Sequence, residues 1–453
     1  MLQNTFITVK ELYVGDIVQN GNWVVGCVRS GVGWPLKLTP VTFRRRTLYL
    51  LPVSTHPDHN LTNHPAVAVR LEGAEQYRDG QVLVSHFLSS LAWSARQPVE
   101  VVQWSGGNIA RSMGGYSGGT MMTDHFSRPY LPDPTDANAR LALGFYREGM
   151  YLNHVAYQCL SYFKILNIFL RNGPQQIAWI DANLAKVTEQ QAKERIQHLG
   201  VNVGQFLYGS NRCAVAHAGG TPTADPENPE DMAQLRDDLP LVRALAEIAI
   251  EEHFQVKSAM TVWREHLYEL EGFREMFGED SVRVIKDSGT LPETDWPSFP
   301  KLSVRLEGHD TYEPLEGMTA TMLGVADGVA VLECKSAACL TLLRLGLDFR
   351  EERMRFDGEA GIASTDDKSA LSARCFSRMQ AFRLDYFLNG ILEIWDADVG
   401  KMLGRSDAFL PQNVDMNGTV RNFRHIIEQA DAEAERRAVS EVTAPPADGK
   451  PRR

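Results

Sequence analysis

Up to about residue 125, apolar and polar positions alternate in short runs. Trp23-Val24-Val25-Gly26-Cys27-Val28, Thr47 to Val53 and Val67 to Leu71 are rich in β-branched and aromatic residues, and Gly, Asn and Pro bound them, which predicts strands. Between Gly80 and Arg96 the period lengthens, and Val82, Val84, Phe87, Leu88, Leu91 and Trp93 predict a helix. Val99 to Trp104 reads as strand again. The glycine-rich loop Gly114 to Gly119 and the Pro-rich Arg128 to Pro134 mark a boundary.

From 138 to 278 the pattern becomes helical. Tyr151, Val155, Tyr162, Ile165, Leu166 and Phe169 predict one long helix over Tyr146 to Leu170, stopped by Asn172-Gly173-Pro174. A second helical region covers Gln175 to Leu199 and ends at Gly200, and a third ends at Gly219-Gly220. Asp238 is expected as an N-cap, with Pro240 in the first turn and Val242, Leu245, Ile248 and Ala249 facing the core. Val256 to Phe277 continues helical, so 138–278 reads as a bundle of helices.

Ser288 to Pro300 is a linker. Strands return in Lys301 to Leu306 and Gly328 to Glu333, and Phe387 to Trp395 carries a hairpin-type Asn389-Gly390 turn. The expected fold class is α+β, multi-domain. A central helical bundle at 138–278 is flanked by β-rich domains at 1–135 and 300–430, with a disordered tail at 431–453. Val69 to Gly73 with Tyr77 recurs as Val304 to Gly308 with Tyr312; a chance match of two strand-and-turn segments and a duplicated β module both fit.

Composition narrows the function classes. The 453 residues are 43% apolar, enough for two or three cores. Met1 to Thr5 lacks the pattern of a signal peptide, and Lys164 interrupts the most apolar helix, Leu160 to Leu170, so a cytoplasmic protein with no membrane partner is expected. The six cysteines include no C-x2-C pair, which argues for free thiols and against a zinc ribbon. A net charge of −11 argues against broad electrostatic capture of nucleic acid. Any RNA-directed site therefore needs a local basic pocket, and the exposed run Arg44-Arg45-Arg46 is the best sequence-local candidate, although it lies far from Arg212 along the chain.

The chemistry concentrates in Arg212-Cys213-Ala214-Val215-Ala216-His217, preceded by Phe206-Leu207-Tyr208-Gly209-Ser210-Asn211. Arginine and histidine suffice to cut RNA without a metal. The imidazole moves a proton and the guanidinium neutralises charge on phosphate. The same residues also fit an arginine that bridges helices and a histidine that belongs to the bundle. Gly115-Tyr116-Ser117-Gly118-Gly119 matches a nucleophile elbow but lacks the preceding apolar strand, and reads as a loop. His56, Asp58, His59 and His64 offer metal-ligand types within a Pro- and Asn-rich stretch that equally makes an exposed loop. There is no P-loop or dinucleotide fingerprint.

With a Tyr-rich helix upstream, this R-x4-H setting resembles the HEPN superfamily over roughly 138–255, and within it the methylamine-utilisation MauJ type. The resemblance implies a metal-independent endoribonuclease in defence or stress response, with no cofactor and no metal. Its partners would be RNA and a second copy of the chain, and its product a 2′,3′-cyclic phosphate. Arg212 would hold the phosphate, His217 would act as base or acid, and Asn211 would orient one of them. Active members usually carry a polar residue directly after the arginine; here Cys213 stands there and Asn211 precedes. On an ideal helix, residues five apart differ by ~7.5 Å of rise and about 140° of rotation. A helix that begins near Arg212, or a second subunit, would bring both groups to one phosphate. The alternative is a non-enzymatic accessory or scaffold protein whose bundle binds a partner or a second copy.

Overall fold

The computed structural model describes residues 7–8, 21–56, 61–115, 120–123, 126, 130–217, 223–307, 309, 311–388, 390–408 and 416–443. The chain is an α+β protein that divides into two compact units, Met1–Ala259 and Met260–Arg453.

In the first unit, β1 (Trp23–Ser30), β2 (Thr39–Phe43), β3 (Arg46–Leu51), β4 (Ala66–Arg70) and β5 (Val99–Gly107) form an antiparallel sheet in the order β2-β3-β4-β1-β5. Side chains alternate along β1, and both of its faces are covered. Val24 and Val28 pack under helix α1 (Tyr77–Ala95) with Phe87, Leu88 and Leu91, while Trp23, Val25 and Cys27 pack with Leu51, Ala66 and Ala68.

The helix expected over Tyr146–Leu170 is two helices, α2 (Ala137–Tyr151) and α3 (Val155–Phe169), parted where Leu152 (ψ 132°) and His154 (ψ 115°) are extended. The chain folds back there because Gly149 lets the helices meet: a Cβ on it would lie 2.7 Å from Cε1 of Tyr162. Tyr146, Tyr162, Phe163, Ile165 and Leu166 all enter one core, so the apolar repeat runs through the turn without a signal.

The region expected over Gln175–Leu199 is likewise split. Helix α4 (Gly173–Asn183) starts where Asn172 accepts a bond from Gln175 N at 3.0 Å, with Pro174 in its first turn. Helix α5 (Gln190–Leu199) ends at Gly200, whose φ is +71°. Helix α6 spans 203–216 and α7 runs over Pro229–Ile248, continued by a π-helical turn at Ala249–His253. The true cap of α7 is Asn228, which accepts from Glu230 N at 3.0 Å; Asp238 and Pro240 lie inside the helix, so Asp238 is not a cap.

The sheet and the helices of this unit share packing. Trp93, from α1, donates its indole N–H to the Lys257 carbonyl at 2.9 Å and meets the Tyr146 ring edge-on, 4.9 Å between centroids. The boundary expected near 135–138 therefore does not separate the compact units.

In the second unit, helices α8 (Glu271–Phe277) and α9 (Glu279–Ser288) put Leu270, Phe273, Phe277, Val282 and Ile285 into the core of a sheet. This part of the helical stretch expected in the bundle up to 278 thus packs elsewhere. The sheet comprises β6 (Lys301–Leu306), β7 (Met318–Ala326), β8 (Val329–Lys335), β9 (Thr341–Asp348), β10 (Arg353–Arg355), β11 (Ile362–Ser364), β12 (Ile391–Asp396) and β13 (Lys401–Ala408). Its order is β10-β9-β8-β7-β6-β12-β13, antiparallel throughout, with β11 also paired to β9.

Two further helices depart from expectation. Helix α10 (Ala370–Phe387) covers the sheet with Met379, Phe382 and Tyr386, and Ser369 caps it by accepting from Ser372 N at 3.0 Å. Asn389-Gly390 therefore joins a helix to β12 rather than two strands, and Asn389 itself lies outside the described residues. The turn between strands falls at 397–400, where Asp396 Oδ1 accepts from Asp398 N at 2.9 Å. Of the tail expected to be disordered from 431, residues 431–443 belong to α11 (Met416–Thr443), and the rest lies outside the described residues. Helix α11 docks through Ala430 and Ala434, both buried, through Arg437 to Asp366 at 2.7 Å, and through Glu441, which accepts from Ala370 N at 2.7 Å. Among the described residues no helix is long and apolar enough to cross a membrane.

Candidate functional site

Helix α6 begins as an α-helical turn, Val203–Phe206, becomes π-helical over Leu207–Cys213 and closes with Ala214–Ala216. A π-helical turn carries an extra residue per repeat and is uncommon enough to need a cause. Its residues divide by burial: Leu207 and Asn211 are fully buried, while Tyr208, Arg212 and Cys213 are half-buried.

Arg212 stacks its guanidinium on the Tyr208 ring, 5.2 Å from the centroid, and its Nη1 reaches the Tyr208 hydroxyl at 3.5 Å and Cys213 Sγ at 3.7 Å. Among the described residues it makes no ion pair, and its Nε is buried without a hydrogen-bond partner. Tyr208 lies against Gly173 at the start of α4, where a Cβ would come within 2.7 Å of the ring. Glycine at this position is what admits the ring, and it sets Arg212 beside the amino-terminal end of a helix.

His217 is the first residue past the helical turns, with φ −130° and ψ 98°, and is exposed. Its N–H still donates to the Cys213 carbonyl at 3.0 Å. The helical turns start at Val203 and run through Ala216, so the helix does not begin near Arg212, and among the described residues no hydrogen bond links the Arg212 and His217 side chains.

Asn211 takes a different direction. It is fully buried and lies against the carboxylate of Asp238, out of reach of a substrate in solvent. Asp238, also fully buried, pairs through Oδ1 with Arg195 Nε at 2.6 Å. Burial pushes its carboxyl up from the ordinary range, while Arg195 and Asn211 oppose that shift. Neither amide atom of Asn211, nor Asp238 Oδ2, reaches full hydrogen-bond geometry with a partner. Sequence reasoning missed Arg195 and took Asp238 for a cap. The signal was present: Asp238 follows Leu235 by three and precedes Leu241 and Val242 by three and four, which places it on the apolar face of α7.

The basic run behaves differently from expectation. Arg44 bonds Asp133 at 2.6 Å and His86 Nδ1 at 2.7 Å, and Arg46 pairs with Glu75 at 2.5 Å and with Glu72 at 3.2 Å. Two of its three charges are thus engaged by neighbours, which leaves Arg45 exposed. Of the weaker candidates, Asp58, His59 and the span Tyr116 to Gly119 lie outside the described residues, and no group of three His, Cys, Asp or Glu is placed to hold a metal among the described residues.

A family model described as methylamine utilization protein MauJ matches residues 142–251, which run from within α2 into the π-helical turn that continues α7 and contain Arg195, Asn211, Arg212, His217 and Asp238. No curated protein and no solved structure matches the chain.

Proposed function

We propose that this helical region is an RNA-directed bundle of HEPN type and a metal-independent endoribonuclease, working in the cytoplasm. The observation that carries the reading is Arg212: a guanidinium supported by an aromatic face, without a carboxylate partner among the described residues, five positions before an exposed imidazole. The aromatic face supports the guanidinium, whose Nε is buried, and its outer N–H groups are left for a phosphate oxygen. His217 takes the proton from a ribose 2′-hydroxyl, the 2′-oxygen bonds to phosphorus, and the bond to the 5′-oxygen breaks. The departing oxygen is protonated by the second copy's imidazolium, which leaves a 2′,3′-cyclic phosphate and a 5′-hydroxyl. DNA, which has no 2′-hydroxyl, is bound but not cut.

A second reading has its own support in the full burial of Asn211, the absence of a bond between Arg212 and His217, and the match to a family named for methylamine utilization. In it the bundle is a non-catalytic accessory module that binds a partner or a second copy.

Binding of a short fluorescein-labelled single-stranded RNA, followed by anisotropy over a series of salt concentrations, tests the phosphate contact. Arg212→Ala should lower the slope of log K against log salt by about 0.7, the share of one single-strand phosphate. An unchanged slope would remove Arg212 from the RNA site and leave the accessory reading.

A further inference from the structure

We propose that the buried Arg195–Asp238 ion pair sets the π-helical register of 207–213 and thereby aims Arg212, which makes both partners positioning residues. The register claim stands on the contacts that α6 makes with this pair; only its consequence for phosphate rests on the reading above. The pair bridges α5 and α7, and α6 touches it at two points. The Arg195 guanidinium lies 6.0 Å from the centroid of the Phe206 ring, and the Asp238 carboxylate faces Asn211. Phe206 and Asn211 are five residues apart. In an α-helix that interval turns through about 140°, so the two side chains could not face one ion pair. In a π-helical turn the i to i+5 hydrogen bond stacks them on one side.

This register fixes the direction of Arg212. With Asn211 drawn inward, Arg212 turns away from the core onto Tyr208, whose ring is held over Gly173. Relaxing the segment to α-helix would keep Phe206 in place, swing Asn211 off Asp238 and turn Arg212, together with Tyr208 four residues before it, to a different direction. A buried charge pair thus holds an uncommon helical register, and one guanidinium is left pointing outward.

The experiment compares the full-length protein with Asp238→Asn and with the charge-free double variant Arg195→Met/Asp238→Leu, which leaves no buried charge alone if the single change fails to fold. Hydrogen exchange followed by mass spectrometry reads the register directly. Peptides covering 203–217 should exchange about tenfold faster or more, while those of α2 and α3 keep their wild-type rates. In the RNA titration, the variants should lose the same increment of salt slope as Arg212→Ala, and adding Arg212→Ala to them should remove nothing more. Wild-type exchange over 203–217 in a folded variant, or a uniform rise across the unit, would overturn the proposal. If the wild-type protein binds no single-stranded RNA, the functional reading alone fails, and the exchange result still decides the register.

Discussion

Replacing Tyr146 by phenylalanine removes one oxygen from the place where α1, α2 and α7 meet. Tyr146 is fully buried, and its hydroxyl donates to Glu247 Oε1 at 2.8 Å. Burial, and then the Glu247 charge, hold its pKa well above the ordinary tyrosine value, so the hydroxyl remains a donor at any working pH. Arg96 binds the other oxygen of Glu247 at 2.7 Å, and Arg243 stands 3.9 Å from Oε1. The ring keeps its edge-on contact with Trp93, so no apolar packing is lost. A hydrogen bond to a charged acceptor is worth about 1.5–3 kcal/mol. Glu247 keeps its two arginines and is not orphaned, which holds the loss to the lower part of that range, ~1.5–2 kcal/mol. For a cooperative unit of this size that lowers the melting temperature by about 3–8 °C. Urea denaturation and calorimetry of Tyr146→Phe, Glu247→Gln and the double variant give the coupling energy, expected at about 1 kcal/mol or more. A change within about 0.5 kcal/mol for Tyr146→Phe, or no coupling, would refute the claim that this hydroxyl ties the helices together.

Three other consequences are accessible to simple assays. Arg44 and Arg45 form the two-residue turn between β2 and β3 with φ of 54° and 59°, a left-handed geometry that suits glycine, so Arg45→Gly should raise stability by about 0.5–1 kcal/mol; a loss on urea denaturation would contradict that. His86 is pushed down to about 4 by burial first and then by Arg44 and Arg140. Because its folded pKa is depressed, its contribution is fully present above its ordinary value and is lost as pH falls toward 4, so His86→Gln should flatten the acid limb of Tm against pH; equal limbs, or an NMR titration near the ordinary value, would argue otherwise. Cys159 and Cys334 are buried and pushed up to about 12, whereas Cys339 is exposed, so iodoacetamide at neutral pH should label Cys339 and spare those two until the protein unfolds.

The sequence made some of this architecture readable and hid the rest for definable reasons. Strands such as β1 and β4 announced themselves through β-branched runs, and α1 through an apolar stripe that the fold buries against β1. The turn at 152–154 was invisible because the helices on both sides face one core and keep the repeat in phase. Helix α10 was missed because Ser, Arg and Gln separate its few large apolar residues, Phe376, Met379, Phe382 and Tyr386, although these fall three and four apart. The tail's charge pointed to disorder, with at most a short helix; over 431–443 Arg437 and Glu441 instead contact the α10 amino terminus. At the candidate site, spacing singled out Arg212 and His217 as candidates but could not reveal a π-helical register, because no local residue preference specifies it. It arises from tertiary contacts at Phe206 and Asn211, residues whose shared neighbour, the Arg195–Asp238 pair, comes from two other helices.

The most direct test of the account is cleavage of single-stranded RNA by the purified full-length protein in EDTA, beside Arg212→Ala and His217→Ala. The wild-type protein should yield 2′,3′-cyclic phosphate ends and neither variant should, with all three folded to the same extent. Cleavage that survives in His217→Ala, or that requires an added metal ion, would contradict it.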